Sequence, residues 1–105
     1  MITVIKDLEG YDNLLKSEKP LMVSFKATWC APCKALQPIL EEFALNNTWA
    51  EVATVDVDTN IDLASKFDIL KLPTTILFKD GEVFGDRIYG VITKNEISNQ
   101  LKSLL

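Results

Sequence analysis

The chain has 105 residues, 48% of them hydrophobic, with eleven Lys and Arg against fifteen Asp and Glu for a net charge of -4. That length suits a single domain over residues 1–105, and the apolar fraction is ample for a core that needs no disulfide staples. The acidic balance, with no basic stripe, argues against nucleic-acid or anionic-membrane partners, and no apolar run reaches the ~18 residues a membrane span requires.

The opening stretch Met1-Ile2-Thr3-Val4-Ile5-Lys6-Asp7 is too short and too soon charged for a signal peptide, so the expected compartment is the cytoplasm. Ile2–Ile5 reads as a short strand. Asp7 is placed to cap a helix with Leu8, Tyr11 and Leu15 on one face, which Ser17–Pro20 breaks. Leu21–Ala27 is an apolar strand, and Ala31 to about Asn46 a helix with Cys33, Leu36, Leu40 and Phe43 on one stripe. Pro38 falls inside that helix, where a kink is expected.

Trp49–Val57 has the nearly continuous apolar character of a buried parallel strand. Thr59 or Asn60 then caps a short helix through Phe67. Thr74–Lys79 is a strand, Asp80-Gly81 a hairpin turn and Glu82–Tyr89 its partner, in which Gly85 marks a bulge. Thr93-Lys94-Asn95-Glu96 is a capping box opening a last helix with Ile97, Leu101 and Leu104 facing inward. The order is βαβαβαββα. It predicts an α/β fold whose central mixed sheet has a parallel core and an antiparallel hairpin edge, flanked by helices.

The segment Trp29-Cys30-Ala31-Pro32-Cys33-Lys34 joins a strand to a helix. A Cys at a helix start meets unpaired backbone N–H groups and the positive end of the helix dipole, both of which favour thiolate. Pro32 suits the first turn, where its missing N–H costs nothing. Two intervening residues bring both sulfurs onto that turn. Cys30, at the outer edge, is expected to attack, and Cys33, one turn deeper, to resolve.

Two plainer readings compete. A C-x-x-C can be half of a zinc site, but the chain has no other Cys and no His. A structural disulfide over so short a loop would constrain little of the unfolded chain. In a reducing cytoplasm the catalytic reading is favoured, with no metal.

The stretch Phe25 to Lys34 resembles the active-site segment of the thioredoxin family. Pro38 matches that family's helix proline, Leu72-Pro73-Thr74 its cis-proline motif, and Tyr89-Gly90 its later glycine motif; the similarity covers essentially the whole chain. The resemblance implies the thioredoxin fold and a protein disulfide reductase working through a redox-active Cys30–Cys33 pair. It implies a cis Pro73 and a docking surface of Trp29, Ala31, Pro32, Leu72, Pro73, Gly90 and Val91, with the Leu72 backbone pairing with an extended substrate. Lys34 follows the pair within the matched segment.

The chain departs from the family pattern at several positions. Ser24 stands where the family usually has a buried aspartate, and Thr54 where it has the lysine partner. The paired change replaces a buried ion pair with two hydroxyls and removes the proton acceptor proposed for the resolving Cys. Lys26 stands where an aromatic is usual, on the same strand face as Ser24; it either approaches the sulfurs or is a solvated strand-end lysine. Ala31 replaces the usual glycine.

No G-x-G-x-x-G occurs, so no bound dinucleotide is expected and the disulfide itself is the redox group. The expected partners are protein disulfide substrates and a thioredoxin reductase, NADPH- or ferredoxin-dependent, acting on a monomer. Net oxidation or isomerisation, and a non-catalytic binding subunit, are the competing functions.

Overall fold

The computed structural model describes residues 1–105. Its elements are β1 (Thr3–Ile5), α1 (Leu8–Leu15), β2 (Leu21–Lys26), α2 (Ala31–Asn46), β3 (Glu51–Asp56), α3 (Ile61–Lys66), β4 (Thr74–Lys79), β5 (Glu82–Val83), β6 (Ile88–Tyr89) and α4 (Lys94–Lys102). The six-stranded sheet runs β1-β3-β2-β4-β5, with β6 also paired to β4. β1 and β2 flank β3 in parallel, while β4 pairs antiparallel with β2 and carries β5 and β6 antiparallel in turn. The parallel core and antiparallel edge are those the sequence predicts.

Strand alternation sends successive side chains to opposite faces. Met22, Val52 and Leu77 point to one side and pack with Leu36, Leu40 and Phe43 of α2 and Ile97 and Leu101 of α4. Val23, Phe25, Ala53, Val55, Ile76 and Phe78 point to the other and pack with Tyr11 of α1, Leu63 of α3 and Phe67. Edge-to-face contacts of Phe67 with Tyr11 and Phe78 fill that second layer. Burial, with Asp12 adding charge repulsion, pushes the Tyr11 phenol above its ordinary value, so it enters the layer neutral.

Helix starts follow the capping residues. Asp7 accepts from the Gly10 N–H at 2.8 Å, and Thr93 Oγ1 from the Glu96 N–H at 3.1 Å. The capping box closes differently from the expected form: the Glu96 carboxylate accepts from the Thr93 hydroxyl. Asn60 is the N-cap of α3 but turns its amide back to the Asp56 carbonyl. α2 continues through Pro38.

Several expectations need correction. The partner of β4 is two short strands rather than one from Glu82 to Tyr89, giving the order βαβαβαβββα. Phe78 pairs with Val83 and Thr75 with Ile88, so three steps along β4 face five along its partner. The bulge at Gly85, where φ is +70°, therefore holds two extra residues and splits the strand. Leu8 is exposed, because only Tyr11 of α1 is fully buried. Trp49 lies before β3 and packs its ring edge-on against Phe43.

Across the sheet centre lies a row of hydroxyls. Ser24 of β2 is in register with Thr54 of β3 on one side and Thr75 of β4 on the other. By alternation from Met22, Val52 and Leu77, all three face α2. They are 2%, 1% and 0% exposed. Thr75 Oγ1 donates to Ser24 Oγ at 3.4 Å, whereas Thr54 Oγ1 has no partner. A buried hydroxyl without a partner carries its full desolvation cost. Thr54→Val, nearly the same shape, should therefore raise stability by about 1–2 kcal/mol. Ser24→Ala, which strips Thr75 of its acceptor, should lower it by about 1 kcal/mol. Denaturant midpoints measured with the disulfide intact check both signs; a destabilised Thr54→Val would show that this hydroxyl is satisfied.

Candidate active site

The site forms where β2 ends and α2 begins. The Cys30 N–H donates to the Ala27 carbonyl, and Lys34 N–H donates to the Cys30 carbonyl as the first helical bond. Cys30 is thus the N-cap of α2, with extended backbone, and its Sγ accepts from the Cys33 N–H at 3.3 Å. A sulfur here does the work an Asp or Ser oxygen does at other helix starts, and an N–H aimed at sulfur favours its anionic form. Ala31 and Pro32 occupy the first turn and are exposed.

Cys30 and Cys33 are joined as a disulfide with their Cα atoms 5.3 Å apart. Their exposures are 5% and 4%, so the expected contrast between an outer and a deeper sulfur does not appear in accessibility. It appears in what each cysteine borders. Cys30 lines an apolar groove of about 560 Å³ with Trp29, Ala31, Pro32, Val57, Ile69, Leu70 and Leu72. Cys33 lines a separate cavity of about 250 Å³ with Lys26, Ala27, Thr28, Lys34 and Gln37.

The groove's far wall is the loop before β4. The Leu72–Pro73 bond is cis, as the resemblance implied, and Pro73 is buried. The Thr74 hydroxyl donates to the Lys71 carbonyl at 2.6 Å and ties the loop to the strand. The backbone N–H and C=O of Leu72 make no hydrogen bond within the protein, which leaves a short unpaired edge beside the sulfur. Gly90, at φ +79°, donates its N–H to the Pro73 carbonyl at 3.1 Å. Gly90 and Val91 do not line the groove themselves; Gly90 supports it through Pro73, and Val91 is exposed alongside.

Trp29 is 68% exposed and so lies at the surface rather than in the core. Its indole Nε1 donates to Asp58 Oδ2 at 2.9 Å. Asp58, Val57, Ile69 and Leu70 are site residues the sequence reading missed. Leu70 is 92% exposed in the loop before β4, which only the folded chain reveals. Asp58 had no legible signal either, since only the fold brings it to Trp29. Ser24 is not in the site's surface but beneath it, in the hydroxyl row. No group of three or more His, Cys, Asp or Glu is arranged to hold a metal ion.

The thioredoxin family model matches residues 2–103. A thioredoxin of Mycobacterium tuberculosis is 41% identical over 102 residues, covering 96% of this chain and 87% of that protein. A bifunctional thioredoxin reductase/thioredoxin of Mycobacterium leprae is 38% identical over 102 residues, covering 96% of this chain and 22% of that protein. Among solved structures, Fasciola hepatica thioredoxin superposes with a TM-score of 0.88 at 28% identity, covering 98% and 99% of the two chains.

The Trp29–Asp58 bond is exposed and worth about 1 kcal/mol or less to stability. Asp58→Ala should leave the denaturant midpoint nearly unchanged but free the indole. In a Trp49→Phe background, acrylamide quenching of Trp29 should rise; unchanged quenching would mean the carboxylate does not hold the ring.

Proposed function

The chain belongs to the thioredoxin family and is a thiol–disulfide oxidoreductase; from that premise we propose that it reduces protein disulfides in the cytoplasm, with Cys30 attacking and Cys33 resolving. The observation that carries the assignment is the division of the two sulfurs between two cavities. Cys30 borders the groove lined by Trp29, Pro32, Leu70 and Leu72, where a substrate chain fits, and Cys33 borders a separate, smaller cavity lined by Lys26, Thr28, Lys34 and Gln37.

An extended substrate segment pairs with the free N–H and C=O of Leu72 and lays apolar side chains against Trp29, Pro32 and Leu70. Pro73 and Gly90 fix that edge, and Val91 extends the surface. The Cys30 thiolate attacks one sulfur of the substrate disulfide. A Cys30–substrate disulfide forms, and the second substrate sulfur leaves as thiolate and takes a proton from water. Cys33 then attacks Cys30 Sγ, closing the Cys30–Cys33 bond and releasing the remaining substrate sulfur. Two electrons have passed to the substrate, and the pair is left oxidised.

A thioredoxin reductase, NADPH- or ferredoxin-dependent, restores the dithiol. The name of the Mycobacterium leprae relative, which joins both activities in one chain, supports a reductase partner. The protein acts as a monomeric single domain over residues 1–105, without nucleic-acid or membrane partners. That no helix is long and apolar enough to cross a membrane is compatible with the cytoplasmic reading. Ala31 lies between the two cysteines and Lys34 directly follows Cys33.

Cys33→Ser should leave attack intact and accumulate a stable mixed disulfide with a protein substrate, whereas Cys30→Ser should accumulate none. Non-reducing gels with mass spectrometry of the adduct read this directly. Trapping by the Cys30→Ser variant alone would reverse the roles.

A further inference from the structure

Resolution requires Cys33 to lose its proton before it attacks, and nothing anionic lies beneath it to receive that proton. Position 24 holds a neutral hydroxyl in a row of neutral hydroxyls. A serine hydroxyl is far too weakly acidic or basic to act as acceptor near neutral pH. The Cys33 cavity instead is walled on its sheet side by Lys26, half-buried at the end of β2. Lys26 Nζ donates to Gln37 Oε1 at 3.4 Å, one helical turn beyond Cys33.

Lys26 makes no ion pair. The protein's two ion pairs are Lys19–Glu51 and Lys94–Glu42. Asp56 is in register with Lys26 on β3, but its Oδ1 accepts from the Asp58 N–H at 2.8 Å. Asp58 in turn is held by Trp29 on the groove side. Glu41 lies beyond Gln37 and accepts from its Nε2. Lys34, exposed on α2, is the second cation around the cavity. The cavity therefore joins Cys33 to solvent past two cations and no carboxylate.

We propose that Lys26, held by Gln37, is a positioning residue for the resolving sulfur, favouring the Cys33 thiolate in the mixed-disulfide stage while the cavity passes its proton to water. The proposal rests on the assignment of Cys33 as the resolving thiol. In this step the Cys33 thiol gives its proton to water in the cavity. The thiolate then attacks Cys30 Sγ, the Cys30–Cys33 bond forms, the bond from Cys30 to the substrate breaks, and the substrate sulfur leaves with the electron pair. A cation beside a thiol favours its ionised form, and the effect is larger where the cation is partly shielded from water.

The test uses the reduced protein and 4,4′-dithiodipyridine, an uncharged disulfide that releases one chromophore on attack by Cys30 and a second on resolution by Cys33. In Lys26→Met the second phase should slow by about three- to tenfold near pH 7, its pH profile should move to higher pH, and the two proteins should converge above about pH 10. The first phase should change by less than about twofold, and Lys26→Arg should keep the wild-type profile. A second phase in Lys26→Met that matches wild type at every pH would overturn the proposal, as would equal slowing of both phases. Absence of a second phase in the unmodified protein would instead defeat the assignment of Cys33 itself.

Discussion

The first turn of α2 fixes everything that follows. Its N–H groups have no carbonyls to receive them, and Cys30 Sγ takes the one from Cys33. That geometry requires β2 and α2 to be anchored independently on either side of a short junction. β2 is anchored because it lies between β3 and β4 with its first five residues buried. α2 is anchored because Leu36, Leu40 and Phe43 enter the layer under it. With both elements pinned, the junction residues have little freedom. The sulfurs stand where the helix end can stabilise charge, and the cis Leu72–Pro73 loop stands opposite them.

The interior beneath this junction is electrically neutral. Ser24, Thr54 and Thr75 form a transverse row in which a single weak hydrogen bond is made and one hydroxyl goes without. A lone carboxylate there would be desolvated with no cation to pair with, so the hydroxyl at Ser24 and the hydroxyl at Thr54 are consistent with each other. The charged groups around the sulfurs sit instead at the rim. Lys26 and Lys34 flank Cys33, and Asp58 is tied to Trp29 on the other side. Under the proposed role of Lys26, electrostatic control of the redox pair lies in partly solvated groups, which salt and pH reach more readily than a buried ion pair.

Much of this was legible in the sequence because the signals were local. The Cys30–Cys33 spacing at a strand-to-helix junction, Asp7 and Thr93 as caps, and the stripe Cys33, Leu36, Leu40, Phe43 each act within a few residues. The errors came where tertiary placement decides. Nothing within the run Glu82–Tyr89 says that Gly85 will absorb two extra residues and split the strand, since that depends on where β4 needs its partners. Leu8 has the right helical spacing yet is exposed, because α1 meets the sheet mainly through Tyr11. Asp58 joins the site only through the indole of Trp29, and Thr75 joins the hydroxyl row only through strand register.

The central claim is that the α2 N-terminus makes Cys30 the reactive thiolate. The most direct measurement is the pH dependence of the rate at which iodoacetamide alkylates Cys30 in the reduced protein, with the modified residue identified by mass spectrometry. The account predicts a midpoint at least about one unit below the ordinary cysteine value of about 8.5. A midpoint at or above that value, or preferential alkylation of Cys33, would contradict it.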